Sequence, residues 1–214
     1  MNKKIYKLIN DLYFEHDLRE EDLVYILDNM DSEDVDYLLG LAYNTRNNHY
    51  GKAVYLRGLI EFSNYCKREC KYCGINTFNR DVKRYRMTKK EIVDTCKEGY
   101  KLGFRTFVLQ GGEDPYFTDK RICDIVKAVK KLFPDVAITL SLGERPIESY
   151  RAMKFAGADR FLLRHETSNP GLYRWLHPFS SLDSRIECLY SLKYTGFQTG
   201  AGIPKRRRLF GSST

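Results

Sequence analysis

Three cysteines fall within one short stretch, Cys66-Lys67-Arg68-Glu69-Cys70-Lys71-Tyr72-Cys73, at spacings of four and three residues. Thiolates spaced this way can wrap one metal centre from a single loop, and soft sulfur donors select zinc or an iron-sulfur cluster. The number of ligands separates the two. A structural zinc site takes four protein ligands, and no fourth is obvious here. Cys96 lies on the apolar face of the next expected helix, while Cys123 and Cys188 fall inside later helices with no ligand spacing. All three read as buried, inert thiols. A four-iron cluster held by three cysteines instead leaves one iron open to an outside ligand, and an open iron is a place for chemistry.

Further polar groups follow at intervals. Gln110-Gly111-Gly112-Glu113-Asp114-Pro115 has two glycines that permit close backbone approach to a ligand, and Glu113 can accept from an ammonium group. Ser141 offers a small hydroxyl, Arg164 a planar cation suited to a carboxylate, and Glu166 an acceptor for hydroxyl or ammonium donors. Arg185, farther on, can close over a carboxylate, although a surface role is the commoner meaning of an arginine there. If the strand before them continues far enough, Arg164 and Glu166 share parity and face one side, with His165 facing the other.

The elements that must carry these groups alternate. Residues 1–50 read as helices only, with Ile5, Leu8, Ile9 and Leu12, then Leu23, Ile26 and Leu27, then Val35, Leu38, Leu39 and Ala42 at helical spacing. They are expected to pack on the outside of the main domain. From Val54 the period changes. Extended apolar runs are expected at 54–62, 106–110, 136–142, 160–163 and 197–201, separated by amphipathic helices, one opened by the capping box Thr88-Lys89-Lys90-Glu91. Apolar strands alternating with such helices imply a parallel sheet covered by helices. The polar groups cluster after successive strands, which favours a TIM-type β/α barrel over a doubly wound sheet. The expected fold is therefore α/β: an incomplete barrel of about five β/α units over residues 51–202, with an N-terminal helical extension over 1–50. A complete barrel needs about 250 residues, and the strands run out near Ala201. Residues 203–214 read as an aberrant basic tail.

Composition bounds the rest. The chain has 214 residues, 43% hydrophobic and 30% charged, as in a folded globular protein. No apolar run approaches the roughly 20 residues of a membrane helix, and the start leads into acidic sequence instead of a signal-peptide core, so a cytoplasmic protein is expected. The net charge of +8 is unevenly spread: residues 1–50 hold 11 acids and 5 bases, Lys205 to Arg208 contribute +4, and the middle carries +10. Solvated surface charge accounts for this better than nucleic acid does, and the basic middle suits an anionic ligand or an acidic redox partner.

The cysteine spacing, with Tyr72 before and Gly74 after the last cysteine, resembles the signature of the radical S-adenosylmethionine superfamily. That resemblance implies a 4Fe-4S cluster on Cys66, Cys70 and Cys73, with S-adenosylmethionine chelating the fourth iron and cleaved to a 5'-deoxyadenosyl radical. The Gly-Gly-Glu stretch is similar to the superfamily's motif for the cofactor's amino group. Longer stretches narrow the likeness: Glu61 to Tyr65, Arg84 to Thr88, Val108 to Pro115, Leu140 to Glu144, Leu163 to Thr167 and Thr199 to Gly202 together look like the FeFe-hydrogenase maturase family HydE, with biotin synthase and methylornithine synthase as relatives. This implies that Tyr72, Gln110, Gly111, Gly112, Glu113, Ser141, Arg164, Glu166 and Arg185 line the cofactor site, and that the substrate is a small molecule or organometallic complex. It also implies other hydrogenase maturases as partners and a ferredoxin or flavodoxin as electron donor. Lys67, Arg68 and Lys71 read equally as a docking surface for such a donor and as a solvated basic loop. The family continues beyond Gly202 where this sequence does not, so a half barrel with an unpaired edge, poorly soluble or paired with another chain and without turnover, is the expectation.

Overall fold

Helical spacing in residues 3–50 resolves into three helices: α1 (Lys3–Glu15), α2 (Glu20–Asn29) and α3 (Ser32–Tyr50). The computed structural model describes residues 2–203, and the basic tail read at the C-terminus lies outside them apart from Ile203. Contacts divide the chain into two units, residues 1–55 and 56–214. In the first unit Ile5, Leu8, Ile9 and Ile26 form the buried centre, with Tyr37, Leu38 and Leu41 packed against it. The inward face of α3 differs from the one expected. Asp34 is buried and completes a capping box with Asp31, while Val35 and Leu39 are exposed. Leu23 and Leu27 of α2 are exposed as well.

The second unit is a five-stranded parallel sheet in which helices follow strands: β1 (Gly58–Ser63), α4 (Lys89–Lys101), β2 (Thr106–Gly111), α5 (Asp119–Leu132), β3 (Ala137–Ser141), α6 (Ile147–Phe155), β4 (Arg160–Leu162), α7 (Pro170–Leu176), α8 (Leu182–Tyr194) and β5 (Gln198–Gly200). The strands neighbour one another in strict chain order, all parallel. A doubly wound sheet would reverse its order at a switch point. Unbroken order is that of a barrel wall. Among the described residues the sheet does not close: β1 and β5 are both edges.

Burial alternates along β2 and most of β1, whereas β3 is buried continuously from Ile138 to Leu140. Ile60 and Phe62, Phe107 and Leu109, Ile138 and Leu140, and Phe161 point into the main core with Ile92 and Cys96 of α4, Ile122, Ile125, Val126 and Val129 of α5, and Tyr150 and Met153 of α6. The intervening positions, Glu61, Gln110, Ser141 and Arg160 among them, are left to the other face. One face is thus covered by helices and the other carries polar groups. The capping box read at Thr88 is present, Glu91 Oε2 accepting from the Thr88 backbone N–H at 2.6 Å.

Two strand boundaries and one helix differ most from expectation. The first strand begins at Gly58, because Val54, Tyr55 and Leu56 are exposed and meet no partner strand. The fourth ends at Leu162, short of Arg164. The helix α7 was not expected; Asn169 caps it, accepting from the Leu172 N–H at 2.9 Å, and Pro170 occupies its first turn. Among the described residues, no helix is long and apolar enough to cross a membrane.

Candidate functional site

Between β1 and α4 the chain makes a long loop, and its shape is set largely by one guanidinium. Arg84 donates to the carbonyls of Ile75, Asn76 and Asn79 at 2.9, 2.7 and 3.0 Å, and also to that of Asn64. Thr77 N–H closes back on the Arg68 carbonyl at 2.9 Å, and Cys73 N–H on that of Cys70 at 3.1 Å. The three cysteines are therefore held on a folded loop, each partly exposed.

A second seam fastens this loop to the end of β2. Gly112 N–H donates to the Ser63 carbonyl at 3.2 Å and Lys67 N–H to that of Glu113 at 3.1 Å. Asp114, only 2% exposed, accepts from Ser63 Oγ at 2.7 Å and from both Arg86 nitrogens at 2.7 and 2.9 Å. Burial alone would raise the Asp114 pKa, but the Arg86, Ser63 and Tyr116 donors outweigh it and hold the carboxyl below its ordinary value. The stabilisation is consequently full above the unfolded value of about 3.9 and is lost as pH falls through the lower folded value. Asp114→Asn should cost about 1–3 kcal/mol at neutral pH, the partly exposed Arg86 keeping the figure below that of a fully buried pair. Urea unfolding of both chains at pH 7 and pH 3 checks this: the gap between them should narrow at the acid end.

Every residue singled out in the sequence as a metal or cofactor ligand lines one cavity of ≈ 260 Å³ at the C-terminal ends of the strands. Cys66, Cys70, Tyr72 and Cys73 come from the loop after β1, Gln110, Gly111, Gly112 and Glu113 from the end of β2, and Ser141 from β3. Arg164 and Glu166 follow β4, and Arg185 reaches in from α8. The parity expected of Arg164 and Glu166 fails, because the strand stops before them and Glu166 takes a left-handed φ of 68°. Both still border the cavity. The Glu166 backbone is anchored to the Gly202 carbonyl at 3.1 Å, and its Oε2 is buried with no hydrogen-bond partner among the described residues.

Charge inside the site is paired. Arg68 Nε lies 2.6 Å from Glu113 Oε2 and its Nη2 2.8 Å from Glu144 Oε2; Arg185 Nε lies 2.9 Å from Glu144 Oε1 and 2.9 Å from the Tyr173 hydroxyl. Burial works against the Arg68 charge, and Glu113 and Glu144 more than offset it. Arg185 is buried instead of lying on the surface, and its pKa is likewise raised against burial by Glu144. Arg68 thus turns inward and is paired with two carboxylates instead of standing solvated. Lys67 stays largely exposed, and Lys71 lies over the Trp175 ring at 4.7 Å.

The thiols differ among themselves. Burial, reinforced by Cys66 and Cys73, pushes the Cys70 thiol up to about 11, so its proton leaves readily only when the sulfur gains a cationic partner. Burial alone pushes Cys96, fully enclosed in the core, up to about 12. Cys123 and Cys188 pack against that core. No cysteine other than the loop's three borders the cavity.

Sequence reading missed His177. It follows α7, is 3% exposed, and brings Nδ1 to 3.2 Å from Cys70 Sγ and Nε2 to 3.2 Å from the Tyr72 hydroxyl. Burial, followed by the nearby Arg185 charge, pushes it down to about 4, so the ring is neutral. Burial and Glu166 raise the Tyr72 phenol, which keeps its proton. The Asn169-Pro170 pair, a cap followed by proline at a first helical turn, was the available signal for α7 and hence for the residue that ends it.

The site suits a cluster with an organic cofactor beside it. Three thiols border one cavity, and the orphaned Glu166 oxygen awaits a donor. Glycine stands where the cysteine loop and the strand ends close on one another: a Cβ on Gly112 would lie 2.2 Å from the Tyr65 carbonyl oxygen, and one on Gly143 2.2 Å from Glu113 Cγ. Among the described residues no three His, Cys, Asp or Glu side chains converge as a single-ion site.

Residues 60–204 match the model of the Radical SAM superfamily. The chain is similar to the FeFe hydrogenase maturase subunit HydE of Thermotoga maritima, 51% identical over 165 residues that cover 77% of this chain and 47% of that one. It is also similar to the 3-methylornithine synthase of Methanosarcina barkeri, 32% identical over 88% of this chain and 54% of the relative. The crystal structure of methylornithine synthase superposes with a TM-score of 0.81, at 31% identity, over 92% of this chain and 58% of that one. The chain spans about half the length of the curated relatives it matches. Parallel strands in barrel order, with the cysteine loop after the first, and a family match over most of its length make this chain a member of the radical S-adenosylmethionine superfamily.

Proposed function

We propose that this chain carries the cofactor-binding half of a radical S-adenosylmethionine enzyme that acts in assembling the active-site cluster of FeFe hydrogenase. The observation that carries the superfamily part is the single cavity into which the loop after β1 and the ends of β2, β3 and β4 deliver their polar groups. The 51% identity to HydE carries the finer part, and it exceeds the 32% to the methylornithine synthase. Its substrate is then a small molecule or an organometallic complex, its partners are other hydrogenase maturases and a ferredoxin or flavodoxin donor, and its compartment is the cytoplasm.

Cys66, Cys70 and Cys73 would hold a 4Fe-4S cluster, and S-adenosylmethionine would sit beside it. When bound, these groups would supply one-electron reductive cleavage of a carbon–sulfur bond. The protein's part is orientation and charge. Glu113 accepts from an ammonium donor, and Arg68 then keeps Glu144 as its partner. Glu166 Oε2 accepts a hydrogen bond from the ribose or ammonium end, satisfying a buried oxygen that costs about 1–3 kcal/mol when left unpaired. Arg164, exposed where it borders the cavity, would pair with a carboxylate. Gly111 and Gly112 let the cysteine loop pack directly against the end of β2, which sets the three thiols beside the cavity.

Anaerobic reconstitution with iron and sulfide, followed by electron paramagnetic resonance of the reduced protein with and without S-adenosylmethionine, tests this reading. About four irons per chain are expected, with a spectrum that changes on adding the cofactor. A colourless chain that takes up zinc in preference to iron would sink it. Incubating the loaded chain with dithionite and S-adenosylmethionine, with products resolved by chromatography, asks separately whether it forms 5'-deoxyadenosine.

A further inference from the structure

We infer that His177 is a positioning residue for the cysteine loop that donates a hydrogen bond from Nδ1 to the sulfur of Cys70 and raises the reduction potential of the cluster. The inference rests on the reading of Cys66, Cys70 and Cys73 as cluster ligands, and it goes beyond that reading by giving one of the three sulfurs a specific neighbour.

The contact is built, not incidental. Lys71 N–H donates to the Leu176 carbonyl at 3.0 Å, tying the cysteine loop to the end of α7 one residue before the histidine. His177 N–H donates to the Tyr173 carbonyl at 2.8 Å, and Ser180 N–H to that of His177 at 3.2 Å, so the backbone on both sides is fixed. The imidazole stacks on Tyr173 with centroids 4.5 Å apart and planes at 22°, and meets Tyr72 edge-on at 5.3 Å. Tyr173 is itself held by Arg185, at 2.9 Å from its hydroxyl. A ring so enclosed has one orientation available.

The tautomer follows from the partners. A cysteine bound to iron is a thiolate and has no proton to give, so the Nδ1 that lies 3.2 Å from its sulfur must carry one. In the neutral ring Nε2 is then an acceptor, and the Tyr72 hydroxyl 3.2 Å away is a donor that suits it. Both contacts are satisfied by one tautomer only. Tyr72, next but one to Cys70 in sequence, therefore acts through the histidine as well as bordering the cavity.

A donor on a ligand sulfur stabilises the more negative, reduced cluster more than the oxidised one, which makes reduction easier. Neighbours of this kind also orient the ligand that they touch. The loop's other two sulfurs have weaker local support: Cys66 Sγ accepts from Arg68 N–H at 3.4 Å, and no donor to Cys73 Sγ is present among the described residues. Cys70 is thus the ligand whose electron density a side chain controls.

The test is a potentiometric titration of the reconstituted full chain, followed by electron paramagnetic resonance, for wild type, His177→Leu, His177→Asn and Tyr72→Phe. His177→Leu should lower the midpoint potential at unchanged iron content. His177→Asn, whose amide nitrogen reaches the position of Nδ1, should restore most of it. Tyr72→Phe should shift it the same way by less, since Nε2 loses the hydroxyl whose hydrogen bond polarises the ring and strengthens the Nδ1–H donor. With ¹⁵N-histidine, electron-nuclear double resonance should show a weak nitrogen coupling that persists in Tyr72→Phe. A wild-type potential in a fully loaded His177→Leu overturns the inference while leaving the cluster assignment intact. Should that variant fail to load, an unchanged potential in Tyr72→Phe overturns it as well. A coupling of the size that direct iron–nitrogen bonding gives would make His177 a ligand and overturn it. A wild-type chain that takes zinc on three thiols and this histidine would remove the cluster reading itself, and the inference with it.

Discussion

Cys70→Ala should fold with nearly the wild-type unfolding midpoint and remain colourless after anaerobic treatment with iron and sulfide, whereas Cys96→Ala should do the reverse. Cys70 sits on a partly exposed loop outside the main hydrophobic core, with its sulfur 3.2 Å from His177 Nδ1. Removing it deletes little buried surface, so the stability cost stays within about 1 kcal/mol. Two remaining thiols cannot hold a four-iron cluster, and bound iron should fall to a background that neither added sulfide nor longer incubation raises. Cys96 is enclosed in the main core beside Ile92 and Val126. Its alanine variant leaves a cavity and should lose about 1–2 kcal/mol, with iron and sulfide per chain unchanged. Colorimetric iron and sulfide assays paired with urea unfolding separate the two. Iron retained in Cys70→Ala, or lost from a folded Cys96→Ala, would show that the loop is not the ligand set. Cys66→Ala and Cys73→Ala should match Cys70→Ala in iron, since no cysteine outside the loop borders the cavity to replace them.

The contrast explains why the site was legible while some of its supports were not. The cysteine loop and the Gly-Gly-Glu stretch announce themselves because their residue types are contiguous, and the alternation of apolar runs with capped helices places each at a strand end. The strand order of the sheet follows from the same alternation, since short crossovers leave successive strands adjacent. His177 was invisible for the opposite reason. Its partners lie 107 and 105 positions away, and only the packing of α7 brings them together. Arg68 was misread for a related cause: a basic residue between cysteines looks solvated until Glu113 and Glu144, from two different strand ends, are seen to enclose it. The first strand was begun too early, at Val54, and the fourth ended one residue late, at Leu163, because residue type does not show where a partner strand stops. On α3 the spacing alone did not single out the buried face, and the buried Asp34 that caps the helix fixes which face turns inward.

Charge pairing around the cavity bears on how it accepts a zwitterionic ligand. The run Glu113, Arg68, Glu144, Arg185 alternates in sign and balances itself, and Arg164 and Glu166 at the cavity add one formal charge of each sign. A cofactor with one ammonium and one carboxylate can then enter by exchanging partners instead of adding uncompensated charge. Exchange is cheaper than insertion, and it leaves the cysteine loop, to which Arg68 belongs, tied to Glu144 throughout.

Gly112→Ala should remove both the stability and the iron uptake that the seam between the cysteine loop and β2 provides. A methyl at that position would lie 2.2 Å from the Tyr65 carbonyl oxygen, 2.7 Å from Cys66 Cβ and 3.0 Å from the Tyr65 carbonyl carbon. The first and last of these belong to backbone, which cannot rotate aside as a long side chain would. Relief requires the loop to lift away from the strand end. That movement stretches the Gly112-to-Ser63 and Lys67-to-Glu113 backbone hydrogen bonds and carries Cys66 out of register with Cys70 and Cys73. Overpacking of this kind costs about 1–3 kcal/mol, and each hydrogen bond lost adds about 1 kcal/mol. Gly74→Ala is the control, one residue beyond Cys73, where an added Cβ meets nothing within 4 Å. It should match wild type in urea midpoint and in iron per chain. Gly111→Ala should fall between the two, since its nearest neighbours, at 3.2 and 3.3 Å, are atoms of the Phe62 ring. A Gly112→Ala chain that loads iron and unfolds as wild type does would mean that the loop reaches its ligand geometry without this seam.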